Sequence, residues 1–376
     1  MSDLFKKASA DEIGKICYLL QGRVLPAYEP LEFGMADKMI IKAISRAFNE
    51  PENKVTEAFK KDGDLGIVVE KFKNFHVTKS DLVSRDKQNN PSVEKVYEKL
   101  FKLATITGPG SVDKKIYILT TLINDLDQLS GRYIVRIPVA KLRLGFSDMT
   151  ILDGLSWMLT GDKKGRKIIE AAYNVRPDLG FIATQIKEKG LKGVEKVIPA
   201  VGTPILMAKA ERLTGGGEII DKIGRCVIEY KYDGFRVQIH YSKVKSEKLK
   251  VKSIKQKLSL FEEEEVEDKK FVRLYSRNLE DVTKMYPDVV KGVVDQINAE
   301  EAIFEGEAIA YDPKSGRYLP FQETVQRKRK YDITQKAIDI PLRLIAFDVL
   351  YVDGESLLEK PLTERRKRLE EIIKYG

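Results

Sequence analysis

Apolar residues recur at helical spacing through the first two hundred positions of the chain. Ile13, Ile16, Cys17 and Leu20 form one stripe. Ser9-x-x-Glu12 ahead of them reads as a capping box, in which a hydroxyl and a carboxylate exchange hydrogen bonds across the first turn. Val93, Val96, Tyr97, Leu100 and Ala104 make a second stripe behind Asn90-Pro91-Ser92. Val112, Ile116, Leu119, Leu122, Ile123 and Leu126 make a third behind Pro109-Gly110-Ser111. Polar loops such as SRDKQNNPS separate them. The pattern predicts an all-α domain over residues 1–205.

The period changes after PAVGTPILMAKAERLTGGGE, where Pro199, Pro204 and the triplet Gly215 to Gly217 mark a boundary. Beyond it CVIEYKYDGFRVQIHY, FVRLYSRN, EAIFEGEAIAY and PLRLIAFDVLYVDG read as strands, with YPDVVKGVVDQI as an interleaved helix. Residues 206–376 are therefore expected to be an α+β domain with a mainly antiparallel sheet. Val227, Ile228 and Tyr230, then Phe235, Val237, Ile239 and Tyr241, alternate like two strand arms parted by the turn residues Asp233-Gly234. Residues 243–270, basic then acidic, fit no core and suggest a solvated hairpin extension or loop.

Composition narrows the classes. A chain of 376 residues suggests two or three domains, and 43% hydrophobic residues exclude a disordered protein. Lys and Arg outnumber Asp and Glu by 66 to 57, a net charge of +9, which favours polyanionic partners, nucleic acid above all. Cys17 and Cys226 lie far apart, so neither a disulfide framework nor a zinc site is indicated. No apolar run is long enough to span a bilayer and MSDLFKKASADE lacks a signal-peptide core. A reducing, cytoplasmic setting follows.

Charged residues fall within or at the ends of the apolar strands: Glu229, Lys231, Asp233, Arg236, Arg277, Glu305, Glu307 and Asp348. An unpaired charge there is expensive, so several strands delivering opposite charges to one place read as a site. In the helical half, Arg132, Arg136, Lys141 and Arg143 crowd RYIVRIPVAKLRLGFSDMT. They read either as a solvated face or as cations set against phosphates.

EYKYDGFRVQIH, LYSRNLEDVT, IFEGEAIA and LIAFDVLYVDG, in that order and spacing, resemble the motifs of the ATP-dependent DNA ligases of the archaeal and eukaryotic replicative type, within the covalent nucleotidyltransferases. PFQETVQRKRKYD, LLQGRVLPAYEPLEFG and VAKLRLGFSDMTILDG are also segments of the kind this family carries. The resemblance implies an all-α DNA-binding domain followed by a nucleotidyltransferase domain. It implies nick sealing in duplex DNA through a lysyl-AMP intermediate, in replication, repair and recombination. ATP is the implied cofactor, with Mg2+ or another divalent cation. Nicked duplex DNA is the implied partner, a sliding clamp is a further candidate, no membrane is involved, and a monomer is expected.

Residue by residue, the resemblance makes Lys231 the nucleophile and Glu229 the reader of the adenine edge. Arg236 and Arg277 would meet ribose and phosphate oxygens, Glu307 would hold ribose or the metal, and Phe347 would stack on adenine. Lysine suits the first step because its amine is a strong nucleophile, although at an ordinary pKa of about 10.4 few amines are free at neutral pH. Neighbouring cations such as Arg236 and Arg277, a metal or desolvation would lower that pKa. Read from the residues alone, Phe347 is equally a core phenylalanine, Glu305 an ion-pair partner, Asp348 a local cap or pair, and His76 and His240 ordinary residues. A GTP-using RNA-capping enzyme or RNA ligase shares K-x-D-G, and a non-catalytic DNA-binding module is the third alternative. The family pattern continues with a glutamate-glycine motif ending in lysine, a K-x-K motif and an OB-fold. Lys328-x-Lys330 lies too early to serve, so the chain is expected to be a truncated piece of a longer ligase.

Overall fold

The computed structural model describes residues 1–75, 90–243, 270–328 and 331–374. His76, Lys330 and nearly all of the charged 243–270 segment lie outside them. The chain divides into two compact units, Met1–Tyr173 with Asp178–Lys196, and Asn174–Pro177 with Val197–Gly376. Residues 197–205, which the change of pattern near 205 places with the helices, belong to the second.

The first unit is built of α1 (Ser2–Lys7), α2 (Ala10–Leu20), α3 (Asp37–Phe48), α4 (Glu52–Asp62), α5 (Leu65–Phe75), α6 (Val93–Thr105), α7 (Ser111–Asp125), α8 (Gln128–Ile134), α9 (Asp148–Thr160), α10 (Arg166–Val175, of which Asn174 and Val175 count with the second unit) and α11 (Leu179–Lys189). The capping box of α2 forms, with Ser9 Oγ accepting from the Glu12 N–H and the Glu12 carboxylate accepting from the Ser9 N–H, both at 3.2 Å. Ile40 and Ile44 of α3, Val68 and Val69 of α5, Leu100 and Leu103 of α6, and Leu119, Leu122 and Ile123 of α7 meet in one core. Full burial of side chains of this size contributes about 1.5–3 kcal/mol each. Helices α2 and α11 approach closely because Gly180 has no side chain: a Cβ there would lie 2.2 Å from the Tyr18 ring. Tyr18 then donates its hydroxyl proton to Asp178, 2.6 Å away, at the N-terminus of α11.

The second unit centres on a five-stranded sheet in the order β2-β1-β3-β4-β5, with β1 Phe235–Ser242, β2 Phe271–Ser276, β3 Glu301–Ala310, β4 Leu342–Val352 and β5 Glu355–Ser356. Every pairing is antiparallel. One face, with Val237, Ile239, Tyr241, Phe304 and Ala308, packs against Val289 and Val293 of α13 (Pro287–Gln296) and Leu369 and Ile372 of α16 (Leu362–Ile372). These two helices follow α12 (Gly216–Ile223), α13 being followed by α14 (Phe321–Val325) and α15 (Ile333–Asp339).

The opposite face is covered at one end by a strap, residues 197–206, whose Val201 and Ile205 pack on Ile303, Leu350 and Tyr351. His240 locks it: Nδ1 accepts from the Gly202 N–H at 3.1 Å, which leaves the proton on Nε2 to donate to Gln238 Oε1 at 3.0 Å. Gln238 bonds both the N–H and the C=O of Ile205, at 2.7 and 3.1 Å. Burial first, and then the charge of Arg273, push the His240 pKa down to about 3, so the ring is neutral.

The strand arm expected at Val227 to Tyr230 does not form. Both edges of β1 are taken, by β2 and by β3, so a hairpin partner has no ladder left to join. Residues 225–233 run without ladder pairing, leaving Val227 56%, Ile228 94% and Tyr230 87% exposed. Among the described residues, no helix is long and apolar enough to cross a membrane.

Candidate functional site

Beyond the strap, the same sheet face carries charge. Cross-strand register places Arg236 of β1 opposite Glu307 of β3, and Gln238 opposite Glu305. Glu305 is buried and forms an ion pair with Arg236, its other oxygen accepting from Gln238 Nε2 at 3.0 Å. A chain of hydrogen bonds thus runs from Gly202 through His240, Gln238 and Glu305 to Arg236, tying the strap to the guanidinium. That guanidinium lies 5.1 Å from the Phe347 ring centroid, and its Nε is buried with no hydrogen-bond acceptor among the described residues.

Phe347 is aimed by a bulge. Glu305 pairs with Asp348 and Gly306 with Ala346, so Phe347 is the extra residue of β4 with no partner on β3. Asp348 is held separately by Arg365, at 2.7 and 3.0 Å, which is the local pairing expected of it.

Gly234 brings the lysine segment onto this face. A Cβ at Gly234 would lie 2.3 Å from the Ala308 carbonyl oxygen, so only glycine permits the approach. Its N–H donates to Glu307 Oε1 at 3.2 Å. Burial raises the Glu307 pKa above the ordinary carboxylate value. The Gly234 N–H and the charges of Lys231 and Arg236 oppose that rise, and Asp233 adds to it. Lys231 itself is exposed, close enough to act electrostatically on Glu307.

The structure therefore brings Lys231, Arg236, Glu307 and Phe347 onto one end of one face. Glu229 and Arg277 stand apart from that contact set. The Glu229 carboxylate is paired with Arg366 of α16, and Arg277 is exposed in the turn after β2. Sequence reasoning missed Arg366, which lies 137 residues from its partner inside an ordinary charged helix. It also missed Gln238, whose reach to Glu305 depends on strand register, and the run of rings Tyr230, Tyr232 and Tyr318 at centroid spacings of 6.2 and 6.1 Å. Lys328 is bound to Glu280 at 3.0 Å. A cleft of about 530 Å³ between α13 and α16 opens on the opposite sheet face and includes Arg366 in its lining.

The donor set fits a nucleotide: an aromatic face, an arginine with a spare buried N–H, and a half-buried carboxylate beside an amine. It does not by itself make a metal site. No group of three or more His, Cys, Asp or Glu able to hold an ion occurs among the described residues. A cation at Glu307 would depend on phosphate oxygens for its other ligands.

In the helical unit, all four cations singled out from sequence have carboxylate partners. Arg132 bonds Glu70 at 3.0 Å, and Arg136 is buried against Asp64. Lys141 lies 3.3 Å from Asp37, and Arg143 lies 3.0 Å from Asp64. Arg136 is thus core, whereas Lys141 and Arg143 reach solvent.

Comparison with known proteins bears on both units. Residues 1–156 match the family model described as DNA ligase N terminus, and residues 264–376 match the ATP dependent DNA ligase domain. A "Probable DNA ligase" of Dictyoglomus turgidum is 40% identical over 376 residues, covering 100% of this chain and 58% of that protein. The protein of the same name from Dictyoglomus thermophilum is 41% identical, with the same coverage. The DNA ligase of Sulfurisphaera tokodaii is 41% identical over 378 residues, covering 100% of this chain and 59% of that one. The chain belongs to the ATP-dependent DNA ligase family. It spans somewhat under three-fifths of the length of these ligases, carrying a helical region followed by an antiparallel sheet domain.

Proposed function

We propose that this chain is the DNA-engaging and nucleotide-accepting part of a ligase that seals nicks in duplex DNA, with Lys231 as the residue that takes AMP from ATP. The observation that carries the reading is the convergence of Lys231, Glu307, Arg236 and Phe347 on one sheet face through strand register, a bulge and a close-approach glycine. The exposed amine of Lys231 attacks the α-phosphorus, and pyrophosphate leaves. ATP supplies the activated phosphate, and a divalent cation would screen its charge. Arg236 turns its unpartnered Nε–H towards the sugar-phosphate oxygens while Glu305 fixes its angle. Phe347 offers its ring to the base, and Glu307 accepts from a ribose hydroxyl. Glu229 reaches the adenine edge on release from Arg366, and Arg277 serves the phosphates from the rim. The second half of the reading is that the helical unit holds the duplex through phosphates, by Arg143 and Lys141. The finer assignments, a role in replication and repair, a monomeric state and clamp binding, belong to the same proposal.

The test is label transfer from α-labelled ATP, resolved on a denaturing gel and mapped to a peptide. Lys231→Ala abolishes it, and so does Lys231→Arg, because a guanidinium stays protonated. Undiminished labelling of Lys231→Ala removes the assignment. Labelling from GTP in place of ATP favours the capping-enzyme alternative.

A further inference from the structure

One carboxylate in the helical unit serves two arginines. Asp64 sits 5% exposed just ahead of α5, and Oδ1 accepts from the N–H groups of Gly66 and Ile67, at 2.8 and 3.4 Å, and from Arg136 Nε at 3.1 Å. Oδ2 accepts from Arg136 Nη2 at 2.7 Å and from Arg143 Nη1 at 3.0 Å. Arg136 is itself 5% exposed, so its charge is balanced inside the protein. Arg143 differs: its side chain is 55% exposed, and the bond to Asp64 is its only hydrogen bond among the described residues. Two arginines and one aspartate leave one net positive charge, presented outward by Arg143.

The backbone around it is held in an unusual shape. Ala140, Arg143 and Gly145 all lie in the left-handed region, at φ of 54°, 53° and 73°. For alanine and arginine that region is disfavoured and persists only where the surroundings dictate it. The surroundings here are the Asp64 pair and the contact of Lys141 with Asp37. A long cation fixed before contact loses less rotamer freedom on meeting a ligand than a free one.

We propose that Asp64 is a positioning residue for DNA binding. Through its inner oxygen pair it anchors the 135–145 loop, and through Oδ2 it sets the angle at which Arg143 meets a backbone phosphate. The proposal rests on the reading that this unit holds duplex DNA through phosphates. Its sign separates it from bulk electrostatics. Removing a carboxylate adds one positive charge and by charge alone tightens binding to a polyanion. Positioning requires the reverse.

The experiment is fluorescence anisotropy of the 376-residue chain with a labelled nicked duplex, across a series of salt concentrations. Arg143→Ala weakens binding about five- to tenfold near 0.1 M salt and lowers the log–log salt slope by about 0.9, the share of one phosphate contact. Asp64→Asn does the same, and the double variant is no weaker than Arg143→Ala alone. Asp113→Asn, an equal change of charge at a carboxylate of α7 that is 77% exposed and makes no contact with this loop, leaves binding unchanged or tighter. Asp64→Glu keeps the charge and moves the carboxylate by one methylene, so it is the measure if circular dichroism shows Asp64→Asn unfolded, and it binds more weakly than the unaltered chain. Tighter or equal binding by a folded Asp64→Asn, equal binding by Asp64→Glu, or no effect of Arg143→Ala overturns the proposal while duplex binding stands. Absence of salt-dependent binding by the unaltered chain overturns the duplex reading and this one together.

Discussion

Glu307 carries a conflict that a sequence does not display. It was identifiable as a charged residue inside an apolar strand, but its burial and its bond to Gly234 come from strand register. Its pKa is raised by burial. A carboxyl raised in the folded state favours folding when protonated, a benefit present below the ordinary carboxyl value and lost as pH rises through the higher one. At neutral pH the ionised form therefore opposes folding slightly, and Glu307→Gln is expected to raise the unfolding temperature at pH 7 by roughly 1–3 °C. The gain disappears near pH 4, and label transfer from ATP falls in the same variant. A thermal melt at the two pH values checks this, and a variant less stable than the parent at pH 7 counts against the strained carboxylate. Gly234 was readable as a turn residue, but the reason for it is the Ala308 carbonyl 2.3 Å from where a Cβ would stand. Gly234→Ala should destabilise the second unit by about 1–3 kcal/mol and cut adenylation, because the backbone ahead of it carries Lys231. Denaturant titration beside label transfer tests it, and unchanged adenylation would show that Lys231 is placed by something other than this close approach.

At the scale of elements, helices were legible wherever burial is local. The stripes at Ile13, Leu100 and Leu119 lie on the described helices because one amphipathic face fixes both period and partner. Strands were legible as propensity but not as pairing. Val227 to Tyr230 have strand-forming residues, yet β2 and β3 leave them no edge. The bulge at Phe347 and the strap were invisible, since the partners of Gly202 and Ile205 lie 38 and 33 residues further along. His240, an ordinary residue in the sequence, closes that strap. An unfolded histidine titrates near 6.5 and this one near 3, so the folded state binds fewer protons between those values. Stability is full above about pH 6.5 and is lost as pH falls, by roughly 2 kcal/mol at pH 5. Urea midpoints at pH 7.5 and 5 should show this fall, and His240→Gln, though less stable at pH 7.5, should lose that share of it. Identical acid sensitivity in both would mean the ring is not held neutral.

For the whole molecule, a helical region followed by an antiparallel sheet was legible from the change of period along the chain, and the family from ordered motifs. Relatives matched along all of this chain are matched along only 58–59% of their own length. Within the described residues, Arg236 is committed to Glu305 and Arg277 is exposed in the turn after β2, apart from the Lys231 contact set, so few cations are gathered there to meet a triphosphate. Each absent charge contact in such a site costs on the order of 10² in rate. The 376-residue chain is therefore expected to bind nicked duplex, to adenylate itself slowly and not to seal, while a version extended to the length of its relatives seals. A ligation assay with ATP and magnesium compares them, and efficient sealing by the shorter chain would show that local groups suffice. The stretch 225–233, outside every ladder, sets a clock of its own. None of its N–H groups is hydrogen-bonded within the described residues, so they exchange with solvent without waiting for the sheet to open. Amides of β1 exchange only with the opening of the sheet, and a few residues of chain separate that slow register from the amine of Lys231, which samples solvent on the fast one.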